Sequence, residues 1–513
     1  MQTEGSFLLV LSQFLSDRLT EMNETTTVFN SGSMYSSGDE DQLANEGLRL
    51  SRSTRWRERS RRHVSFEPAM FLFFVAIGLS EIELTHQIIY QTCRVQGYES
   101  SDCLLVGKDA SSPGVQEIEA HIQPAAASVT LAIIFIRTLI PAFGALLLGA
   151  WSDRHGRKPM VLIAGCGLLL TYVSMTGLNF LSMFVRVDPW YYVLTYIPFS
   201  IPGGAAVLGA TVFAFVTDVT NDENRTIKMG LMRASMLAGA LLGTYSSEFI
   251  LQWTSPTTIF ILATICIILG LTYIALFVED SMIPNADNEL GASLSNLFSV
   301  GLVRDIVQSV RRKRSRYLWI ILGLVICCAA TVKLAGGSGI VAYASAHRRF
   351  EWSRKLFLHF QQMDSLLLIF ANVVGICFLK RVLDWPDTLI ALVSIINCIV
   401  CATIQGLAVE GWHLYLASGL TSLKGVEVVA LLSVGAYLLP SSDIAKFYAV
   451  LLSLVGLMPL ISEPMFSAFY EATLTNGPGL FHFLAAGIFG VAAVLLIIMQ
   501  WLLNKRNQPE LLL

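Results

Sequence analysis

Long apolar runs separated by short polar connections fill most of the chain. Apolar runs lie near 68–92, 124–148, 160–182, 190–216, 229–252 and 256–278; after a polar stretch, 279–316, six more lie near 317–343, 355–379, 388–408, 412–439, 446–473 and 480–503. At ~1.5 Å per residue, each is long enough to cross ~30 Å of hydrocarbon as a helix. In lipid the backbone must satisfy its own polar groups, so the pattern predicts an all-α polytopic membrane protein of twelve transmembrane helices. The expected organisation is a tail (1–67), a six-helix bundle (68–278), a linker (279–316), a second six-helix bundle (317–503) and a short tail (504–513).

Composition agrees: 54% of residues are apolar and 14% charged, against about a quarter charged in a soluble protein. Lys and Arg are asymmetric, 22 on the side of the tails and linker and 7 on the other. This predicts that both termini are cytosolic. Arg348, Arg349, Arg354 and Lys355 run against the rule. The first tail is rich in Ser, Thr, Asn and acidic residues and is expected to be a disordered cytosolic segment. Within it Glu4, Leu8 and Leu9 match the acidic dileucine pattern read by endolysosomal sorting adaptors, so the membrane is the plasma membrane or an endolysosomal one.

Seven cysteines fall inside apolar runs and read as small hydrophobes. Cys398 and Cys401 have zinc-like spacing but no neighbouring donors, so no metal is expected. Cys93 and Cys103 flank an exoplasmic loop and are a candidate disulfide in an oxidising compartment. The basic tracts all abut spans, which gives nucleic-acid binding no support. The sequence has no Gly-x-x-x-x-Gly-Lys-Ser/Thr loop, no filter-like run and no bond-making constellation. We therefore expect no cofactor, and a protein that is not an enzyme.

Between the second and third runs stands Gly149-Ala-Trp-Ser-Asp153-Arg154-His-Gly156-Arg157-Lys158-Pro159. Charge and glycine exclude it from hydrocarbon and predict a tight aqueous turn. Its spacing resembles the signature loop between helices two and three of the major facilitator superfamily. That resemblance implies two six-helix halves, a midplane substrate site between them and transport by alternating access. It also implies a cytosolic gate, which we place at Gly149, Asp153, Arg154, Gly156 and Arg157 with Asp218 and Arg225 in the next loop. The block Phe213-Ala-Phe-Val-Thr-Asp218, with Asn224-Arg225-Thr226 and Gly203-Gly204, is similar to the proton-coupled folate transporter family within the superfamily. This implies a small organic anion of folate or pterin type, carried by proton symport. The family pattern is broken at three places: Arg233 stands where the proton-coupled pattern has a carboxylate, Lys333 where it has a histidine, and Lys424 where it has an arginine. Proton coupling is therefore not carried over residue by residue, and an invertebrate-type or lysosomal-type relative is indicated.

A charge at mid-bilayer costs at least ~2.5–3.5 kcal/mol, so ionisable residues within spans mark a cavity or a partner. They are Glu81, Glu83 and His86 on the first span, Arg137 on the second, Arg233 on the fifth, Lys333 on the seventh, Asp364 on the eighth, Lys424 and Glu427 on the tenth, and Glu463 on the eleventh. The third, sixth and ninth spans carry none and the twelfth only His482, matching the helices that lie outside the cavity in the fold this chain resembles. Arg137, Arg233, Lys333 and Lys424 are expected around one cavity that takes an anion. Glu81, Glu83, Asp364, Glu427 and Glu463 are candidates for proton coupling or ion pairing. Lys424 is expected to pair with Glu427 three residues on, and Arg137 to reach Glu81 or Glu83. Gly336, Gly337 and Gly339 are expected to break the seventh span. Two other readings stay open: a lysosomal exporter of muropeptides, cyclic dinucleotides or catabolites, and a transporter-like receptor that binds without turnover.

Overall fold

The computed structural model describes residues 65–106, 113–281, 316–474, 477 and 479–507. The sorting pattern at Glu4, Leu8 and Leu9 and nearly all of the central linker lie outside them. The described residues contain helices and no strand. The first half comprises α1 (Glu67–Val95), α2 (Pro113–His155), α3 (Arg157–Leu181), α4 (the pieces Tyr191–Thr195, Ile197–Ser200 and Gly204–Val219), α5 (Asp222–Leu251) and α6 (Pro256–Phe277). The second comprises α7 (Arg316–Ala335 and Gly339–Phe350), α8 (Arg354–Phe370 and Ile376–Arg381), α9 (Asp387–Leu407), α10 (Trp412–Leu420 and Glu427–Tyr437), α11 (Ser441–Leu457 and Pro459–Thr473) and α12 (Leu480–Asn507). Ten of these are long and apolar enough to cross a membrane unaided. The others are the more polar α5 and the broken α10.

The helices outrun the apolar runs at their aqueous ends, because extending a formed helix is cheap once its first turn exists. The largest correction is at α2, which starts at Pro113 and continues through His155. Gly149, Asp153 and Arg154 are therefore helical, and the expected tight turn shrinks to Gly156 alone. Its φ of +107° suits glycine, and a Cβ there would sit 2.0 Å from Asp280 Oδ2. Span seven does break at its glycines, as a 3₁₀ turn at Gly336–Ser338. α8 and α10 break too, at a π-helical segment (Ala371–Gly375) and at a non-helical stretch before Glu427. Such discontinuous helices are what line transporter sites.

Small residues set the closest packing. A Cβ on Gly239 would lie 2.3 Å from Phe71 O, and one on Gly243 2.3 Å from Val75 O. The α5 backbone thus rests directly on α1, in the small-xxx-small manner. We expect Gly243→Val to cost about 1–3 kcal/mol or more of stability by overpacking, read as a lowered unfolding midpoint of the purified protein.

α3, α6, α9 and α12 pack principally within their own halves, and the halves meet through α2, α4 and α5 against α8, α10 and α11. The meeting lies toward the face at which α1 begins and α12 ends, called the terminal face below. It uses Gly204–Val219 of α4, Ile376–Arg381 of α8, Glu427–Tyr437 of α10 and Ser441–Leu457 of α11, while Arg354–Phe370 of α8 also packs against α5. On the opposite, distal face, the outer pieces of α4, α7, α10 and α11 pack principally within their own halves. The protein is closed on the terminal face. Cys93 and Cys103 are joined as a disulfide at the distal end of α1, with Cα atoms 5.7 Å apart. Of the cations that break the charge rule, Arg349 caps the end of α9, donating to the carbonyls of Gln405, Gly406 and Ala408.

Candidate functional site

Closure of the terminal face rests on a buried ion cluster. Arg157 is fully buried; its Nη1 donates to Asp153 Oδ1 at 2.7 Å and its Nε to Asp218 Oδ2 at 2.9 Å. One planar guanidinium thus ties the ends of α2 and α4 to the start of α3, a geometry for which arginine is suited. Its backbone N–H donates to Asp280 Oδ1 at 2.9 Å, and Ser281 Oγ donates to Asp218 Oδ2 at 3.1 Å. The link to the second half is direct: Asp153 Oδ2 accepts the Lys446 backbone N–H of α11 at 3.3 Å. Beside it a Cβ on Gly149 would meet Ala449 Cβ at 2.5 Å. Arg225 does not join this cluster, because Asp222 one turn back on α5 takes its guanidinium at 2.5 Å. The side chain of Arg154 lies outside the described residues.

A matching contact, absent from the sequence reading, closes the other side. Thr226 Oγ1 of α5 donates to Asp387 Oδ1 of α9 at 2.7 Å and lies 2.9 Å from Ser433 Oγ of α10. Ser433 donates to Asp387 Oδ2 at 2.7 Å, and Lys380 Nζ pairs with Asp387 Oδ1 at 2.6 Å. Here Gly230 packs so that a Cβ would lie 2.6 Å from Asn372 O, in the π-helical part of α8. The signal in the sequence was Lys380-Arg-Val-Leu-Asp384-Trp-Pro-Asp387, a degenerate echo of the first-half turn. A hydroxyl on the facing helix could not be read from it.

Asp153 lies beyond the apolar part of α2, Glu117–Ala145. Burial pushes its carboxyl up to about 6, against the opposing pull of Arg157 and Lys446. In a released, hydrated latch it would return to the ordinary value near 3.9. The latched form therefore holds the proton more tightly. Its contribution is fully present below the ordinary value and is lost as pH rises through about 6. The effect is on the order of 3 kcal/mol at most. We expect spin labels on the terminal-face ends of α4 and α8 to show more separated pairs as pH rises through that window, and Asp153→Asn to flatten the response.

Further in, charges converge where the halves meet. Arg233 of α5 stands about 16 Å along its helix from Asp222, within electrostatic range of Glu427 on α10 and Lys333 on α7. Lys333 is likewise within range of Glu463 on α11. Among the described residues neither Arg233 nor Lys333 has a carboxylate within ion-pairing distance, and Arg233 Nε is buried without a hydrogen-bond partner. The Lys333 side chain is exposed and Arg233 half-buried. Arg233 and Lys333, one from each half, are thus two like charges within electrostatic range of one another.

The expected ring of four cations is corrected by this geometry. Lys424 pairs with Asp364 of α8 at 2.5 Å, not with Glu427, because Lys424 lies in the break of α10 and the two do not share a helix face. Glu427 is buried and bonds Ser394 instead. Arg137 belongs to a group within the first half: it bonds the Tyr196 hydroxyl and lies near Glu81 and Tyr172, the last bonded to Ser80 at 2.8 Å. The Glu83 carboxylate takes Gln87 Nε2 at 2.9 Å and lies 3.8 Å from His86.

Two bundles, peripheral third helices, a two-sided terminal latch and a central charged site are the parts of an alternating-access carrier. The Major Facilitator Superfamily pattern matches residues 103–463. The chain belongs to the Major Facilitator Superfamily. It is 28% identical to the probable peptidoglycan muropeptide transporter SLC46 of Drosophila melanogaster over 437 residues, 84% of each chain. It is 25% identical to the proton-coupled folate transporter of Bos taurus, covering 85% of this chain and 91% of that one. Among solved structures it is similar in fold to the human organic anion transporter MFSD10, with a TM-score of 0.65 at 17% identity, covering 85% of this chain and 99% of that one. As a superfamily member the protein is a multi-pass membrane secondary transporter of a small molecule.

Proposed function

We propose that the protein carries small organic anions of the folate or muropeptide type by alternating access, as a proton symporter. The observation that carries this reading is the nearness of Arg233 and Lys333, two cations from opposite halves with no ion-pairing carboxylate among the described residues. A carboxylate-bearing substrate supplies the missing charge, and arginine offers it bidentate geometry. Glu463 near Lys333, and the Arg137, Tyr172 and Tyr196 group, add polar contacts for the uncharged part of such a molecule. Opening and closing use the latch residues Gly149, Asp153, Gly156, Arg157 and Asp218, which touch the other half or one another and not the substrate.

The terminal face is the cytosolic one. The excess of Lys and Arg on that side supports this, as does the Cys93–Cys103 disulfide on the distal face, where an oxidising compartment would form it. The membrane is the plasma membrane or an endolysosomal membrane, the latter reached through sorting adaptors that read Glu4, Leu8 and Leu9. A lysosomal exporter of muropeptides is the second reading, favoured by the likeness to the Drosophila muropeptide transporter. The intact latch speaks against a receptor that does not turn over.

The test is uptake of labelled folate, muramyl dipeptide and a cyclic dinucleotide into cells expressing the chain, at about pH 5.5 and about pH 7.4, on either side of the range where carboxyl and imidazole groups titrate in proteins. We expect one of these anions to accumulate faster at acid pH, and the signal to vanish in the double variant Arg233→Ala, Lys333→Ala. Uptake that ignores the double substitution would remove the assigned site.

A further inference from the structure

Close contacts on two sides fix how α5 is turned about its axis. A Cβ on Gly230 would lie 2.6 Å from Asn372 O of α8, whereas one on Gly239 or Gly243 would lie 2.3 Å from a carbonyl of α1. At about 3.6 residues per turn, Gly239 stands opposite Gly230 and Gly243 nearly so. One side of α5 therefore rests on its own half and the other faces the second half. From Gly230 to Glu248 is about five whole turns, which brings the second-half side round again. Glu248 lies ~27 Å beyond the Gly230 contact, toward the distal face. Its side chain is exposed.

The same count along α8 reaches a pair of cations. α8 runs antiparallel to α5, and about five turns back from Asn372 stands Arg354, its first residue, with Lys355 next. These two positions are level with Glu248 and belong to the other half. Lys355 is exposed, and among the described residues neither its side chain nor that of Glu248 makes an ion pair or hydrogen bond. Each charge is out of place by itself. A carboxylate in the apolar run 229–252 is costly against lipid, and Lys355 lies on the face that is poor in Lys and Arg. Arg349, which breaks the same rule, is held by the carbonyls at the end of α9.

We propose that Glu248 and the cations that open α8, Arg354 and Lys355, are the distal counterpart of the terminal latch. Glu248 is unpaired in this conformation and meets them when the distal face closes. This rests on the reading of the protein as an alternating-access carrier. Terminal closure joins α5 to the second half through Thr226 and Asp387. Rocking the halves about the Gly230–Asn372 contact opens that join and brings the far ends of the same two helices together. Contacts made on one face only would bias the cycle toward that face, and a pair made only in the other state offsets the bias. The start of α8 suits a carboxylate in a second way, because the first N–H groups of a helix lack partners within it and carry partial positive charge.

The test uses the full chain in lipid nanodiscs, with spin labels at the distal ends of α2 and α11, outside the proposed pair. The background is Arg157→Ala, which frees the terminal face. A short, closed distal distance should appear there. Adding Glu248→Gln should lower the ratio of closed to open distances roughly threefold to tenfold. Glu248→Lys should lower it further, and Arg354→Glu with Lys355→Glu should restore it, since a role in packing would not follow an exchange of sign. About 1 M salt, where the Debye length is ~3 Å, should lower the ratio with Glu248 present and leave it unmoved in Glu248→Gln. A ratio indifferent to Glu248→Gln and to salt, or an exchange of sign that restores nothing, overturns the latch. If Arg157→Ala shows no closed distal distance at all, the carrier reading falls and the latch with it.

Discussion

Replacing Arg233 by alanine is expected to lower transport of the anionic substrate by roughly 10–150-fold while the protein still reaches the membrane. A charge-assisted hydrogen bond contributes about 1.5–3 kcal/mol, and each 1.4 kcal/mol is tenfold. Folding should suffer little, because Arg233 has no ion pair to lose and its Nε is buried without a partner. Removing it even relieves repulsion with Lys333. Arg233→Lys keeps the charge but not the planar fork, and should recover part of the rate. Uptake normalised to surface protein reads the effect. A variant that transports as well as the natural protein would mean that the anion is held elsewhere.

Arg157→Ala should act differently, on the equilibrium between conformations. It leaves Asp153 and Asp218 buried without their cation, their side chains only 2% and 7% exposed. Breaking a buried pair from one side costs about 3–5 kcal/mol, enough to shift a two-state equilibrium by a factor of roughly 10²–10³ or more. The cost is relieved by hydrating the carboxylates, which means opening the terminal face. Asp153 would then also release the Lys446 amide of α11. We expect spin labels across the terminal face to show the opened distance as the major population, and net uptake to fall sharply. Arg157→Lys should rescue only in part, since one ammonium cannot reproduce the guanidinium's donation from Nε to Asp218 and from Nη1 to Asp153. A closed distance distribution in Arg157→Ala would place the latch elsewhere.

Much of the fold could be read from the apolar runs, because lipid forces each to be a helix and the charges avoid every third one. The charged cluster at Asp153 and Arg157 was legible because glycine and charge at fixed spacing have few other uses between two spans. What escaped were interactions across long sequence distances. Thr226 meeting Asp387, and Ser394 entering the ladder between Leu423 and Glu427, depend on which face of a neighbouring helix is presented. Hydropathy does not carry that information. The expected Lys424–Glu427 pair failed for the same reason, since it assumed an unbroken helix where a serine from α9 had opened one. Arg137 was grouped with the other cations only because it lies within a span, and Tyr196, which bonds it, looked apolar in the pattern.

The most direct measurement compares binding of a carboxylate-bearing probe, folate or muramyl dipeptide, with its amide-capped counterpart on the purified protein in lipid nanodiscs. The two differ only in charge. With Arg233 and Lys333 holding an anion between the halves, the acid should bind roughly tenfold or more tightly than the amide, and the difference should disappear in the double variant Arg233→Ala, Lys333→Ala. Equal binding of acid and amide by the natural protein, or a preference that survives the double substitution, would contradict the account.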